Sequence, residues 1–175
     1  MLPEKCTRVY SFAQISEALD RLADRLNAQL KGENPLVLTV MQGGLIFAGQ
    51  LIPKLDCMLD IDYIHATRYK NATRGSSLEW KAHPASSLEN RTVLILDDIL
   101  DEGTTLKAVI DYCYERGASR VLSAVLLKKI HQRCVDDSLT DNIALTVDDR
   151  YVFGFGMDYH GQYRHVDGIY AVEDK

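Results

Sequence analysis

Apolar residues at Phe12, Ile15, Leu19, Leu22, Leu26 and Leu30 recur every three or four positions, which predicts an amphipathic helix. Ser11, with Gln14 three residues on, makes a capping box at its start, and Gly32 ends it. The pattern then changes period. Residues 36–40 (LVLTV) read as a strand buried on both faces; it exits through Met41-Gln42-Gly43-Gly44 into helix-like sequence with Leu45, Ile46, Phe47 and Leu51. A further apolar strand is expected over residues 58–64. Residues 66–84 turn polar, with Gly75, two serines and alternating Leu78 and Trp80, and read as a long β-arm or flap. Residues 93–96 (VLIL) are a central parallel strand that runs into Asp97 and Asp98, then Asp101-Glu102-Gly103-Thr104-Thr105, then an amphipathic helix over 106–116 stopped by Gly117. Residues 120–127 are a last buried strand running into Lys128-Lys129. Residues 136–140 read as a polar loop, and 151–153 as strand-like. No repeat or linker breaks this alternation, so the expectation is a single α/β domain over 1–175 with a mostly parallel twisted sheet flanked by helices.

Composition narrows the function classes. The chain has 175 residues, 46% hydrophobic and 26% charged, which suits one globular domain with a full core. Its net charge of -5 and lack of a long basic run argue against nucleic acid as the main partner. The first residues have no apolar core of signal-peptide length, and no segment approaches a membrane span, so a cytoplasmic protein with no membrane partner is expected. Cys6, Cys57, Cys113 and Cys134 are scattered without C-x-x-C spacing, which suggests reduced, mostly structural thiols. The histidines show no metal-ligand spacing, and solvated or packing roles are expected for each. The acidic runs Asp136-Asp137 and Asp148-Asp149 read as solvated turns.

The candidate chemistry sits between the central strand and its helix. The first N–H groups of a helix lack intrahelical partners and carry the positive end of the dipole. Gly103 lets a ligand approach the backbone, and Thr104 and Thr105 add hydroxyl donors, so a phosphate monoester fits. Asp97 and Asp98 repel phosphate but suit sugar hydroxyls, or a divalent cation that grips phosphate oxygens. The Gly43-Gly44 turn is a second candidate phosphate loop. There is no G-x-x-x-x-G-K-[ST], and Gly154-Phe155-Gly156 lacks the third glycine of a dinucleotide fingerprint.

A ligand with phosphate at one end, a diol in the middle and a metal-bound phosphate group at the other matches phosphoribosyl pyrophosphate. The acidic pair followed by D-x-G-x-T resembles the phosphoribosyl-pyrophosphate motif of type I phosphoribosyltransferases, and the later residues resemble the hypoxanthine-guanine branch. The resemblance implies a core sheet with a small hood from about 145–175 and a flexible active-site arm at about 66–84. It implies Mg2+ as cofactor, phosphoribosyl pyrophosphate and a 6-oxopurine as substrates, and a homodimer or homotetramer. Residue by residue, it implies that Asp97 and Asp98 fix the ribose hydroxyls directly or through metal, and that Asp101 is catalytic, sharing a proton with purine N7. Glu102, through its backbone only, and Gly103, Thr104 and Thr105 would seat the 5-phosphate. Gln42, Gly43, Gly44 and Arg164 would meet pyrophosphate, with Gln42 standing where a lysine is usual. Lys128 would face O6 of the base, Tyr151 would stack on it and the Val152 backbone would contact its edge. Asp158 would lie by the purine and help hold a second magnesium. In the arm, Arg68-Tyr69 stand where Ser-Tyr is usual, and Arg68, Lys70 and Arg74 are candidates for pyrophosphate. Two alternatives stay open: a related transferase for another base such as xanthine, and a nucleic-acid-binding regulator on the same fold.

Overall fold

The apolar runs become the middle of a sheet. The computed structural model describes residues 2–3, 5–68 and 78–173. In chain order the elements are β1 (Cys6–Tyr10), α1 (Phe12–Gln29), β2 (Leu36–Met41), α2 (Gly44–Leu51), β3 (Asp60–Arg68), β4 (Leu78–Ala82), β5 (Thr92–Leu100), α3 (Thr104–Glu115), β6 (Arg120–Ile130), β7 (Asn142–Asp148), β8 (Val152–Phe153) and β9 (Ile169–Val172). Six strands form one sheet in the order β4-β3-β2-β5-β6-β7. All neighbours in it are parallel except β3 and β4. Val93 to Leu96 are fully buried at its centre, which is why that stretch carries no polar side chain.

Each face of the sheet has its own core. On one, the stripe Ile15, Leu19, Leu22 and Leu26 of α1 and Phe47 and Leu51 of α2 pack with Val37, Leu94 and Leu96. On the other, Leu106, Val109 and Cys113 of α3 pack with Leu38, Ile95 and Val125. The Ser11–Gln14 capping box is formed as its spacing predicts, while Phe12 is half exposed and lies beside Phe155. Burying both faces leaves the carboxyl ends of the parallel strands as the open edge, the place where such sheets bind ligands.

The structure differs from the sequence reading in several places. β5 continues through Asp97 and Asp98 to Leu100, because the long β6 runs alongside and pairs Ile99 with Leu127 and Leu100 with Lys128. The acidic pair therefore lies within the strand end rather than after it. β3 starts later and runs on to Arg68, where its antiparallel partner β4 makes the base of the arm. Trp80 of β4 lies 5.5 Å from the His83 ring and 5.2 Å from the Tyr112 ring of α3, which fixes that base. Tyr69, Lys70 and Arg74 lie outside the described residues. β1, β7 and β9 were not expected. The hood is a separate sheet of order β1-β9-β8, so it draws on the first strand of the chain as well as the last. Residues 145–148 belong to β7 of the main sheet and not to the hood, because they pair with β6.

Candidate functional site

At the carboxyl edge of the sheet the β5–α3 turn makes an anion cradle. Gly103 caps α3 at φ +78 with no side-chain cap, so the first helical N–H groups are left for a ligand. The left-handed φ of Gly103 is what calls for glycine here; a Cβ would meet the Leu139 Cδ1 methyl at 2.7 Å, the movable end of a flexible side chain. Thr104 Oγ1 is buried without a hydrogen-bond partner, and Gly103 and Thr105 line a cleft of about 460 Å³. That cleft also collects Gln42, Gly43, Asp97, Asp98, Asp101, Asp158 and Arg164. Gly44 instead starts α2 and packs against the Leu96 carbonyl, and the Glu102 carbonyl accepts from Val135 N–H at 2.9 Å while its carboxylate charge acts on Arg133. His65, Thr67 and Lys81, from the strands at the base of the arm, also line the cleft. No sequence pattern singled them out, since each depends on how β3 and β4 pair.

The Gly43 turn is pressed onto the acidic pair. A Cβ at Gly43 would sit 1.8 Å from Asp98 Oδ2, and one at Gly156 of the hood would sit 2.1 Å from the Gly43 carbonyl. Two glycines thus let the turn, the strand end and the hood meet. The peptide between Met41 and Gln42 is cis. Arg164 closes the cleft from the hood side, donating to the Gly156 carbonyl at 2.6 Å and to Asp158 Oδ1 at 2.7 Å. Asp158 also accepts from Gly161 N–H at 2.8 Å.

Electrostatics separate the carboxylates. Burial, and then the charge of Asp98, push Asp97 well above the usual carboxylate range. Burial raises Asp98 too, against the hydrogen bond with Asp97 and the charge of Arg164. A pair of adjacent carboxylates, Asp97 buried and Asp98 partly so, with raised pKa values and only oxygen donors, fits a hard divalent cation. Asp158 lines the same cleft but is already held by Arg164 and Gly161.

A smaller recess of about 180 Å³ opens from the cleft and shares Asp98, Ile99, Asp101 and Asp158 with it. Its other walls are Lys129, Tyr151, Val152 and Met157. The half-exposed Tyr151 offers a ring face there, and its hydroxyl donates to the Asp158 carbonyl at 3.2 Å. The lysine is a correction. Lys128 points away and pairs with the exposed Asp137 at 3.0 Å, whereas Lys129 Nζ bonds Asp101 Oδ2 at 2.8 Å. Successive strand residues face opposite sides, so a shift of one position changes the compartment. Leu127, two positions before Lys129, joins the core cluster that also holds Val152 and Met157, and Lys129 lines the recess beside those two hood residues.

Asp101 is held by more than the sequence indicated. His131, with its side chain 5% exposed, bonds Asp101 Oδ1 at 2.7 Å. Arg133 lies 3.9 Å from the same oxygen and binds Asp149 through two hydrogen bonds of 2.6 and 2.8 Å. Burial alone would raise the Asp101 carboxyl, but Lys129 and His131 outweigh it and hold it below the usual range. Asp101, His131 and Asp149 bring ligand-type atoms within 4.8 Å of one another. Lys129 and Arg133 already neutralise those carboxylates, so this is an ion-pair network rather than a metal centre. His131 and Asp149, expected to be solvated or to pack, are thus part of the site.

A larger cavity of about 530 Å³ lies between α3, β6 and residues 136–142, lined by groups such as Lys107, Arg120 and Asn142. It gathers none of the candidate residues. All four cysteines are free, and among the described residues no helix is long and apolar enough to cross a membrane.

Residues 7–160 match the family model described as "Phosphoribosyl transferase domain". The hypoxanthine-guanine phosphoribosyltransferase of Streptococcus pneumoniae is 30% identical over 166 residues, 94% of this chain and 92% of that protein. That of Streptococcus mutans is 31% identical over 176 residues, 99% of this chain and 97% of that protein. Among solved structures, a hypoxanthine-guanine phosphoribosyltransferase from Bacillus anthracis superposes with a TM-score of 0.90 at 25% identity, covering 97% of this chain and all of that one (100%).

Proposed function

The chain belongs to the phosphoribosyl transferase family, and on that premise we propose that it is a purine-salvage enzyme joining hypoxanthine or guanine to phosphoribosyl pyrophosphate, with release of pyrophosphate. The observation that carries the reading is the pair of adjoining cavities. One, with an anion cradle and an acidic pair, has the chemistry for a phosphorylated sugar; the other, with a lysine and an aromatic face, has that for a planar oxo-base; Asp101 stands on the wall between them.

Each residue has a part in that reaction. The α3 N-terminus with Gly103, Thr104 and Thr105 seats the 5-phosphate, and the Glu102 carboxylate stays turned from it. Asp97 and Asp98 would hold the ribose hydroxyls and magnesium, and Asp158, which lines the same cleft, would offer a further oxygen donor. What bound magnesium supplies is positive charge against the departing pyrophosphate. The backbone of Gln42, Gly43 and Gly44 and the cations Arg164 and Lys81 face that leaving group. In the recess, Lys129 donates to O6, Tyr151 stacks on the ring and the Val152 backbone meets its edge. Cleavage at the anomeric carbon develops oxocarbenium character, as in glycoside cleavage. Asp101, held ionised beside Lys129 and His131, accepts or shares the N7 proton as N9 attacks.

The site is read as acting in the cytoplasm, consistent with four free cysteines. Half-exposed or exposed apolar residues, Leu45, Met58, Ile61 and Tyr63, support self-association into a dimer or tetramer. The test is a substrate panel: hypoxanthine, guanine, xanthine, adenine and orotate, each with phosphoribosyl pyrophosphate and magnesium, following nucleotide and pyrophosphate. Formation of IMP and GMP is expected. Product from adenine or orotate alone, or none from any base, would overturn the assignment.

A further inference from the structure

Both ring nitrogens of His131 are committed. The backbone N–H of Arg133 donates to Nδ1 at 3.0 Å, and Nε2 lies 2.7 Å from Asp101 Oδ1. A nitrogen that accepts an amide hydrogen bond carries no proton, so the neutral ring has its proton on Nε2, and Nε2–H donates to the carboxylate. The ring is buried, with its side chain 5% exposed, so water does not compete for either contact. The segment is tied to the site by Val135 N–H, which donates to the Glu102 carbonyl at 2.9 Å, and by Arg133, whose guanidinium grips Asp149. Asp101 thus has two separate anchors, Lys129 on Oδ2 and His131 on Oδ1.

The two anchors differ in what the proposed reaction asks of them. Lys129 lines the recess as well as binding Asp101, so a 6-oxo group there competes for its ammonium donors. His131 does not line the recess and is fixed from behind by a backbone amide. We propose that His131 is a positioning residue for Asp101: locked as the Nε2–H tautomer by the Arg133 amide, it keeps the carboxylate aimed at the base when Lys129 turns from Asp101 to the purine. This rests on the transferase reading given above. The carboxylate oxygen that His131 holds retains a further lone pair for a substrate proton.

The test has two arms. In unliganded wild-type protein labelled with 15N-histidine, the ring-nitrogen correlations of His131 at neutral pH should show the Nε2–H form, with Nδ1 as the unprotonated nitrogen. An Nδ1–H ring, or one averaging between tautomers, overturns the proposal whatever reaction the protein catalyses. In the second arm, His131→Phe and His131→Gln are compared with wild type for folding by thermal melt and for kinetics with hypoxanthine. His131→Phe should lower kcat by roughly 10- to 100-fold, the scale for a misplaced catalytic group, with KM for phosphoribosyl pyrophosphate nearly unchanged. His131→Gln, whose amide can donate to Asp101 and accept from Arg133, should recover most of the loss. Wild-type kcat in folded His131→Phe, or equal losses in both variants, overturns the positioning role. Should His131→Phe not fold, His131→Gln decides: activity close to wild type supports the role, and a full loss overturns it. An inactive wild type with the Nε2–H tautomer intact would count against the transferase reading, and that is a different result.

Discussion

Replacing Lys129 and Lys128 one at a time separates the two lysines that the sequence leaves adjacent. Lys129 is largely buried, its side chain 13% exposed, and reaches both Asp101 and the base recess. Lys129→Ala removes a charged donor from an enclosed oxo-group, a loss of about 1.5–3 kcal/mol. At about 1.4 kcal/mol per tenfold, that is roughly a 10- to 150-fold drop in kcat/KM for hypoxanthine and guanine. Lys128 makes a pair whose partner, Asp137, is 74% exposed, so Lys128→Ala should leave kcat/KM within about twofold of wild type. A second signature comes from Asp101. Burial raises its pKa, and the Lys129 and His131 contacts more than offset that. Removing Lys129 therefore moves the Asp101 pKa upward, so more of it is protonated at a given pH. If ionised Asp101 is the proton acceptor, the acid limb of the kcat/KM profile shifts to higher pH in Lys129→Ala and stays in place in Lys128→Ala. The assay is initial-rate kinetics over a pH series, with purine varied at saturating phosphoribosyl pyrophosphate and magnesium. A large loss in Lys128→Ala beside an unaffected Lys129→Ala would refute the placement of the recess.

Three further outcomes are expected. Asp101→Asn should cut kcat far more than affinity for phosphoribosyl pyrophosphate; equal losses in the two would make it a binding residue. Gly43→Ala forces the Asp98 carboxylate out of its place, 1.8 Å from the new Cβ, and should weaken phosphoribosyl-pyrophosphate binding by roughly 10- to 100-fold with the melting temperature little changed; unaltered binding would remove the Gly43–Asp98 contact from the site. Because burial raises Asp97, the folded protein binds its proton more tightly than the unfolded chain, so its contribution to stability is greatest at low pH and is lost as pH rises from about 4, the ordinary aspartate value. Asp97→Asn should accordingly raise the neutral-pH melting temperature without magnesium, by about 2–4 °C per kcal/mol recovered, and shrink the stabilisation that magnesium gives; a lower melting temperature at neutral pH would contradict the buried-charge account.

The central strand, its acidic end and the glycine-threonine turn were legible because one local stretch carries them all: an apolar run, carboxylates where such a run ends, then helix periodicity. The elements that were missed are defined by partners far away in the chain. β1 is a strand because β9 pairs with it, Cys6 opposite Val172, and β7 because the long β6 extends beside it. The resemblance placed the base-facing lysine at Lys128, the first of two adjacent lysines, whereas Lys129 is the one that reaches Asp101 and the recess; two neighbouring residues of the same type give the sequence nothing to choose by. His131 had no signal at all. Its role comes from a contact with Asp101 thirty residues earlier and from a backbone amide, neither of which has a spacing rule. Gln42 stands where the family pattern has a lysine, yet the turn still meets the acidic pair, since its close approach to Asp98 is set by Gly43.

The most direct measurement is a crystal structure of the protein with IMP and magnesium pyrophosphate. The account predicts the 5-phosphate on the N–H groups of Gly103 to Thr105, the ribose beside Asp97 and Asp98, and the base between Tyr151 and Lys129. Nucleotide lodged instead in the cavity between α3 and residues 136–142, with the acidic cleft empty, would contradict it.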